Sequence, residues 1–456
     1  MNRFSTFRQL FVVGILMGMM AGLSTMPAAA QSGDHEPKTP IKHLISLMQE
    51  NHSFDNYFGT YPGADGIPPG VCMPVNPEDP SNKDCVQPFH LGNRAIEDLD
   101  HTSNTHIQEY RGGKMDGFVW AFGQQGKDGT LAMGHYDGTD LQYYWNIADQ
   151  YVLFDRFFTS AAGGSVANHM FWVTGQAGTN GHNDSIPKSG WGDIPTIFDR
   201  LEAAGVSWKF YVQNYDPTIT YRSRGSGDRG AQVVWVPLLD YARYVDDPKL
   251  FGHIVDLSEY YTDLHNGTLP AVSYIVPSGA SEHPPGSVQA GERFVKQLHT
   301  ALMESSAWSS SAFIWTYDDW GGWYDHVAPP DVGEHGYGFR APALLVSPYA
   351  KRGYIDHTQL DFTSILKFIE ENWNVAPLAS RDGNAVSFMD AFDFSQPPRK
   401  ATIVSSTRGD AVAAPTRRIA IFAAYGSALI ASPGLIVGTL LFPAVRRKRR
   451  GRRRMK

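Results

Sequence analysis

Two groups of acidic and amide side chains follow predicted buried strands in this sequence. The first group begins at Glu50, after the apolar run of residues 41–48, and the second begins at Asp318 and Asp319, after the run of residues 312–317. Adjacent carboxylates at the end of a hydrophobic strand repel each other and lose hydration, and a divalent cation offsets both costs. A metal site is therefore one interpretation, and a helix cap or a solvated turn is the common alternative for such a pair.

The atoms that these groups offer suit a hard cation. Four side chains present carboxylate or amide oxygens, and they are Glu50, Asn51, Asp318 and Asp319. An oxygen-only ligand set favours calcium, magnesium or manganese, and zinc also accepts carboxylates. We expect one divalent ion whose identity the sequence does not fix.

A serine follows a glycine pair at the start of a predicted helix. Gly163 and Gly164 precede Ser165, and the helix is predicted over residues 166–173. A helix N-terminus favours an anion such as phosphate. The commoner role of such a serine is to cap the helix, and it becomes a nucleophile only with a base or a metal. Ser160 competes in the same loop, and no G-x-S-x-G elbow occurs, so an ordinary esterase triad is poorly supported.

Three histidines are candidates for proton transfer. His283 lies in a loop directly after the predicted strand of residues 271–276, while His101 and His326 each follow an aspartate. Any one of them alone is more commonly an ordinary surface or core histidine. His283 is the best placed, because open α/β sheets build their sites at the carboxyl ends of strands.

The apolar pattern predicts strands that alternate with helices. Helices are predicted at residues 195–204, 290–303 and 361–373, with further strands at residues 206–212 and 341–347. This alternation is typical of an α/β domain, with a mostly parallel central sheet and helices on both faces. We expect the domain to occupy residues 41–394.

The start of the chain has the composition of an export signal. Basic residues, an apolar run and an A-x-A site predict a signal peptide over residues 1–30, with an uncleaved anchor as the alternative. A polar linker over residues 31–40 follows. We therefore expect the domain to be exported.

The other end of the chain predicts a membrane anchor. Residues 395–418 are rich in Pro, Ser, Thr and Ala and read as a stalk, and the uncharged residues 419–445 are long enough for a transmembrane helix. A buried core helix is the alternative. Residues 446–456 carry nine positive charges and should stay cytoplasmic. The net charge of −7 includes this tail, so the remainder is strongly acidic and nucleic acid is an unsuitable partner.

Cys72 and Cys85 are the two cysteines of the chain and lie close together in a Pro- and Asn-rich loop. In an exported protein such a pair predicts a disulfide. Two free thiols remain open, and metal binding by the pair is disfavoured because no histidine or second cysteine pair is near.

Five segments together resemble a known family. They are E-N-H-S-F-D-N-Y-F-G (50–59), G-G-K-M-D-G-F (112–118), G-G-S-V-A-N-H (163–169), E-H-P-P (282–285) and Y-D-D-W-G-G-W-Y-D-H-V (317–327). In this order they closely resemble the bacterial phosphoesterase family that contains the non-zinc phospholipases C and a group of acid phosphatases. The likeness covers roughly residues 43–373 and implies an alkaline-phosphatase-like fold.

The resemblance also implies roles for single residues. Ser165 would be the nucleophile and form a phosphoserine intermediate, with His283 and His101 moving protons or contacting phosphate. Asn168 and His326 would bind phosphate oxygens. One metal ion would be held by Glu50, Asn51, Asp318, Asp319 and the Ser165 hydroxyl.

The substrate remains open between phospholipid headgroup esters and phosphomonoesters. The family's phospholipases C commonly carry a threonine and a G-P-T-x-P-N-R-like loop, whereas this chain has Ser165, Ala167 and His169, which mildly favours the phosphatase branch. A sulfatase is disfavoured because no C-x-P-x-R motif occurs. A catalytically inactive surface binding protein is the alternative from a different class.

Overall fold

The computed structural model describes residues 36–94, 96–178, 185–223, 228–330 and 336–408. The predicted signal peptide (1–30), transmembrane helix (419–445) and basic tail (446–456) lie outside these ranges. Within the described ranges, no helix is long and apolar enough to cross a membrane.

The strands of the described residues form one large sheet and two small ones. They are β1 (His43–Gln49), β2 (Met73–Pro74), β3 (Cys85–Val86), β4 (Phe89–His90), β5 (Gly134–His135), β6 (Val152–Phe154), β7 (Trp208–Val212), β8 (Ile254–Asp256), β9 (Val272–Val276), β10 (Ser311–Tyr317), β11 (Ala343–Val346) and β12 (Tyr354–Asp356). The large sheet has the order β12-β6-β11-β10-β1-β9-β7-β8. Within it only β11 runs against the others, so the predicted mostly parallel sheet is confirmed.

Helices cover both faces of this sheet. The α-helices of the described residues are α1 (Phe54–Phe58), α2 (Ser103–Tyr110), α3 (Phe118–Gln124), α4 (Gln142–Gln150), α5 (Ser165–Thr174), α6 (Ile197–Ala204), α7 (Asp228–Trp235), α8 (Ala242–Asp246), α9 (Pro248–Phe251), α10 (Ser258–Asn266), α11 (Val288–Glu304), α12 (Phe362–Trp373) and α13 (Ser380–Asn384). On one face, Trp172 of α5 donates from Nε1 to Ser46 Oγ of β1 at 2.9 Å. On the other, Trp315 of β10 packs against the rings of Tyr144 and His299.

The register of β1 and β10 brings their carboxyl ends together. Gln49 is paired with Tyr317, so the residues that follow these two strands leave the sheet side by side. Strand β9 pairs in parallel with the other edge of β1 and sends its following loop to the same end of the sheet. Because parallel strands share their carboxyl edge, all three loops can contribute to one site.

The predicted stalk begins later than expected. Val404 is buried, Arg399 donates to the carbonyl oxygens of Ser347 and Ala350 at 3.1 and 2.8 Å, and Arg408 pairs with Asp149 at 2.9 Å. The chain therefore packs on the domain as far as Arg408, which corrects the predicted domain boundary at residue 394. The composition of residues 395–408 predicted an unpacked stalk. A few apolar and arginine contacts nevertheless hold this segment on the domain, although it is rich in Pro, Ser and Thr.

The loop that contains Cys72 and Cys85 is closed by a disulfide, as predicted. The bond joins residues at the ends of β2 and β3, which pair in antiparallel fashion. A covalent link of this kind restricts the unfolded chain more than the folded one.

A buried arginine ties several segments together behind the strand ends. Arg340 is 0% exposed and donates to Asp55 Oδ1 and Asp325 Oδ1, each at 3.0 Å. It also donates to the carbonyl oxygens of Asp65 and Asp155 at 2.7 Å. Both aspartate side chains are themselves buried, and Asp55 is also contacted by His326 Nδ1 at 2.7 Å.

Replacing Arg340 should destabilise the fold strongly. The change Arg340→Met keeps much of the side-chain volume but removes the cation bonded to the buried Asp325 and leaves Asp55 with His326 alone. Breaking a buried ion pair typically costs about 3–5 kcal/mol of unfolding free energy. Urea denaturation measures the loss. As a control, Arg222→Met removes an exposed pair with Asp246 and should leave the midpoint nearly unchanged. Equal shifts for the two variants would contradict this account of Arg340.

Candidate active site

Two strand ends bring four oxygen-bearing side chains together. Glu50 and Asn51 follow β1, and Asp318 and Asp319 follow β10. The Asn51 backbone N–H donates across the gap to Asp318 Oδ1 at 3.0 Å. Asn51 has φ 63°, a left-handed conformation that asparagine tolerates better than most residues. Gly321 also has positive φ, and a side chain there would overlap the Asn51 backbone, so this glycine lets the two turns approach.

Ser165 points to this group rather than capping its helix. The N-cap of α5 is Gly164, and Ser165 is the first helical residue. Its hydroxyl donates to Asp319 Oδ2 at 3.3 Å, and the residue is partly exposed. Ser160 is fully buried and donates to Asp361 Oδ2 at 3.0 Å. Between the two serines of this loop, only Ser165 is placed for chemistry.

One buried carboxylate oxygen of this group has no hydrogen bond among the described residues, which is what a cation site requires. Asp318 Oδ2 is buried and makes no hydrogen bond among the described residues. His169 Nε2 lies 3.2 Å from Glu50 Oε1 and 3.9 Å from this Asp318 oxygen. One ligand atom from each of the three residues lies within 4.8 Å of the others. An unpaired buried carboxylate oxygen is costly, and a divalent ion would satisfy it.

Burial and neighbouring charges shift the pKa values of Glu50 and His169 in opposite directions. Burial, and then the charges of Asp318 and Asp319, raise the pKa of Glu50 well above its usual value. Without a cation, the Glu50 carboxyl is therefore driven towards its protonated form. Burial lowers the pKa of His169 to about 4, so its ring is neutral and can offer a lone pair.

His169 is a candidate ligand that the sequence analysis named only as part of a motif. It lies four residues after Ser165, and residues with this spacing share one face of an α-helix. The spacing was therefore a usable signal once Ser165 was suspected. A nitrogen in the ligand set makes zinc and other transition metals better suited than an oxygen-only set would.

The Asn51 side chain bridges the acidic residues and a histidine. One end of its amide lies 3.3 Å from both Asp318 Oδ1 and Asp319 Oδ1, and the other end lies 3.0 Å from His283 Nε2. With the nitrogen towards the carboxylates, the amide makes hydrogen bonds that need no cation. With the oxygen towards them, it completes the predicted ligand set.

Two histidines face this centre with the same ring nitrogen. Nδ1 of His101 donates to the Leu99 carbonyl and Nδ1 of His283 to the Pro284 carbonyl, both at 2.7 Å. Because a carbonyl only accepts, Nε2 is the atom left for chemistry in each ring. Burial opposes protonation of His101, but the charge of Asp319 and other nearby acceptors outweigh it and raise its pKa to about 9. The two ring centres are 6.0 Å apart.

Two predicted phosphate-binding residues have other roles. Asn168 Oδ1 accepts from Ala161 N at 2.8 Å, and its Nδ2 donates to the Gly163 carbonyl at 2.9 Å, so its amide shapes the loop before Ser165. His326 Nδ1 lies 2.7 Å from Asp55, within the Arg340 network. Neither residue lines the cleft beside Ser165, and phosphate binding by either one stays a prediction.

A cleft of about 970 Å³ opens on Ser165. His101 and His283 line it near the serine, and it continues past the end of β7 and along α7. Its further walls are mostly apolar or neutral polar, with one acidic residue, Asp216, and they include Val166, Val212, Gln213, Asn214, Ile219 and Trp235. Among the described residues that line the cleft, none is a lysine or an arginine.

The cleft has the parts of a hydrolytic site in an α/β protein. These are the acidic residues at the strand ends, a partly exposed serine and two histidines. The sequence model of the Phosphoesterase family matches residues 41–376, and the chain belongs to this family. The resemblance inferred from the five motifs is confirmed. Membership supports a phosphoric ester hydrolase.

Several curated relatives are phospholipases C. The chain is 29% identical over 440 residues to the non-hemolytic phospholipase C of Burkholderia pseudomallei, a match that covers 78% of this chain and 59% of that protein. It is 28% identical over 424 residues to phospholipase C B of Mycobacterium tuberculosis, covering 79% of each. The chain thus spans less than two thirds of the Burkholderia protein.

Solved structures with a similar arrangement include hydrolases of other esters. A phosphonate monoester hydrolase of Agrobacterium radiobacter superposes with a TM-score of 0.39 at 10% identity, covering 78% of each chain. A protein in the alkaline phosphatase superfamily from Vibrio parahaemolyticus gives a TM-score of 0.33 at 12% identity, covering 74% of this chain and 68% of that one.

Metal binding at this centre should tighten as the pH rises. The raised pKa of Glu50 means that a cation must displace a proton, so affinity should increase by up to about tenfold per pH unit for each proton displaced. Calorimetric titration with Mn²⁺ or Zn²⁺ between about pH 5.5 and pH 8 measures this dependence.

The matched variant is Glu50→Gln, which cannot exchange that proton. It should bind the ion more weakly and show a flatter pH dependence than the parent protein. An affinity of the parent protein that does not change with pH would contradict the proposed involvement of Glu50.

Proposed function

We propose that this chain is an extracytoplasmic, metal-dependent hydrolase of phosphate esters that acts through a phosphoserine at Ser165. The observation that carries the proposal is the position of the Ser165 hydroxyl, at the head of α5 and 3.3 Å from Asp319 Oδ2, on the cleft that His101 and His283 also line. The unpaired Asp318 oxygen beside it supports metal dependence.

The ion would be held by residues from three elements, and bound there it supplies positive charge that favours the ionised serine and the phosphoryl oxygens. Its ligands would be drawn from Glu50, Asn51, Ser165, His169, Asp318 and Asp319. Ser165 Oγ attacks phosphorus in line with the leaving oxygen, and its proton passes to Asp319 Oδ2, which already accepts its hydrogen bond.

His283 acts on the leaving group. Its Nδ1 stays bonded to the Pro284 carbonyl while Nε2 delivers a proton to the departing alcohol oxygen. The same nitrogen then takes a proton from the water that attacks phosphoserine, the bond between phosphorus and Ser165 Oγ breaks, and Oγ recovers its proton from Asp319 Oδ2. His101 Nε2 and the amide end of α5 stabilise the equatorial oxygens during both steps.

The cleft favours an ester that carries an organic group. Its volume lies within the usual range for ligand sites, and its described walls beyond Ser165 are mostly apolar or neutral, with Asp216 as an acidic residue and no basic one. Phospholipid headgroup esters fit this lining, in agreement with the phospholipase C relatives. Acid phosphatase action on phosphomonoesters is the second candidate, and it is favoured by Ala167 and His169 in the serine loop.

We place the catalytic domain outside the cell. The Cys72–Cys85 disulfide supports an oxidising compartment, which agrees with the signal peptide predicted over residues 1–30. The uncharged residues 419–445 would anchor the domain in the membrane, with the basic residues 446–456 in the cytoplasm. Nucleic acid remains an unsuitable partner for so acidic a domain.

Ser165→Ala should reduce turnover to the background rate, because Ser165 is the serine of the cleft whose hydroxyl donates to Asp319 Oδ2. Release of p-nitrophenol from p-nitrophenyl phosphate and of phosphocholine from phosphatidylcholine, with added divalent metals, measures the loss. Ser160→Ala changes the same side chain in the same loop and should keep most of the activity.

The two products separate the candidate functions. Phosphocholine release indicates phospholipase C action, and release of inorganic phosphate alone indicates a phosphatase. A parent protein that hydrolyses neither class with any metal supports the inactive binding protein instead. Near-parental turnover by Ser165→Ala with its metal still bound would refute the phosphoserine mechanism.

A further inference from the structure

A second buried acid lies beside the cleft and takes no part in the chemistry described above. Glu282 is 1% exposed, and its two carboxylate oxygens accept four hydrogen bonds. Oε2 accepts from the hydroxyls of Tyr57 at 2.5 Å and Tyr317 at 2.9 Å. Oε1 accepts from the Tyr144 hydroxyl at 2.5 Å and from Gln49 Nε2 at 3.0 Å.

The donors belong to segments that carry the proposed active site. Gln49 and Tyr317 are the last residues of β1 and β10, so each comes immediately before the acidic group of its strand. Glu282 itself comes immediately before His283. One carboxylate therefore joins the three segments at the residue before the groups that are proposed to act.

The backbone at Glu282 is held as firmly as its side chain. Its φ of 69° is left-handed, a costly conformation for a residue with a long side chain. His52 Nε2 lies 3.2 Å from its carbonyl oxygen, and the Ser281 carbonyl accepts from Glu50 N at 2.9 Å. Gly291 of α11 leaves room for the carboxylate, since a side chain there would overlap it.

Burying the Glu282 carboxyl group among hydroxyl groups costs folding free energy. Burial raises the pKa of Glu282 to about 8, although the three tyrosine hydroxyls act in the opposite direction. A buried acid that meets hydroxyls and an amide instead of a cation is a poor source of stability. Its four hydrogen bonds do, however, define the position of the loop in three dimensions.

We propose that Glu282 is a positioning residue that fixes His283 Nε2 relative to Ser165 and the acidic strand ends, without touching the substrate. The proposal rests on the proposed function, in which His283 protonates the leaving oxygen. A displacement of about 1 Å in such a group can cost up to about 100-fold in rate.

The test uses leaving groups that differ in their need for a proton. Glu282→Gln keeps the shape of the side chain but turns one acceptor into a donor that faces tyrosine hydroxyls. Because kcat/KM reports only the steps up to formation of phosphoserine, we expect kcat/KM for an alkyl phosphate ester to fall by about 10–100-fold, while kcat/KM for p-nitrophenyl phosphate falls far less. Metal content, measured by elemental analysis, should stay at the parental value.

A double-mutant cycle shows whether Glu282 acts through His283. His283→Ala should already lose the alkyl ester selectively, and adding Glu282→Gln should then cost little more. Glu370→Gln is the matched control, because Glu370 is a buried acid of α12 that is not part of this network. It should leave the ratio of the two rates unchanged.

The outcomes are distinguishable. Equal losses on both esters for Glu282→Gln, or a full additive loss in the double variant, would overturn the positioning role while leaving the proposed function intact. A His283→Ala variant that is indifferent to the leaving group would overturn the assigned role of His283 and this proposal with it. Should Glu282→Gln fail to fold, Tyr144→Phe removes one donor and should give the same selectivity with a smaller loss.

Discussion

The parallel pairing of β1 with β10 is the constraint on which the rest of the site depends. Its register sets Gln49 beside Tyr317, so the acidic residues after each strand must leave the sheet together. A slip of one residue would turn every side chain of the strand to the other face and separate these groups. The cost of crowding carboxylates here is partly met by backbone amides, since Asp318 Oδ1 accepts from both Asn51 N and Asp319 N.

The sheet and its main helices could be predicted because their apolar patterns are long. Each strand or helix predicted within residues 41–373 agrees with the structure to within about two residues at either end. The antiparallel direction of β11 and the three-residue strands β6, β8 and β12 were not predicted. Three residues are too few to show a period, and strand direction depends on the path of the connecting chain.

Convergence of the two acidic groups followed from one rule about strand ends, and the family resemblance joined the serine to them. The hydrogen bonds of other side chains could not be predicted. His326 is held by Asp55, 271 residues away, and no local pattern reports such a pair. Asn168 donates to the neighbouring loop carbonyls, which any asparagine at a helix start can reach. The setting of Glu282 needed donors from four separate elements to be seen together.

The packing of residues 395–408 on the domain alters what a membrane anchor would do. If residues 419–445 cross the bilayer as proposed, only the ten residues from 409 to 418 can act as a free tether, and fully extended they reach at most about 35 Å. An unpacked stalk of the predicted length would have more than doubled that reach. The cleft would then stay close to the lipid surface. A short tether raises the effective concentration of lipid headgroups at the cleft, so that headgroup esters outnumber soluble esters there.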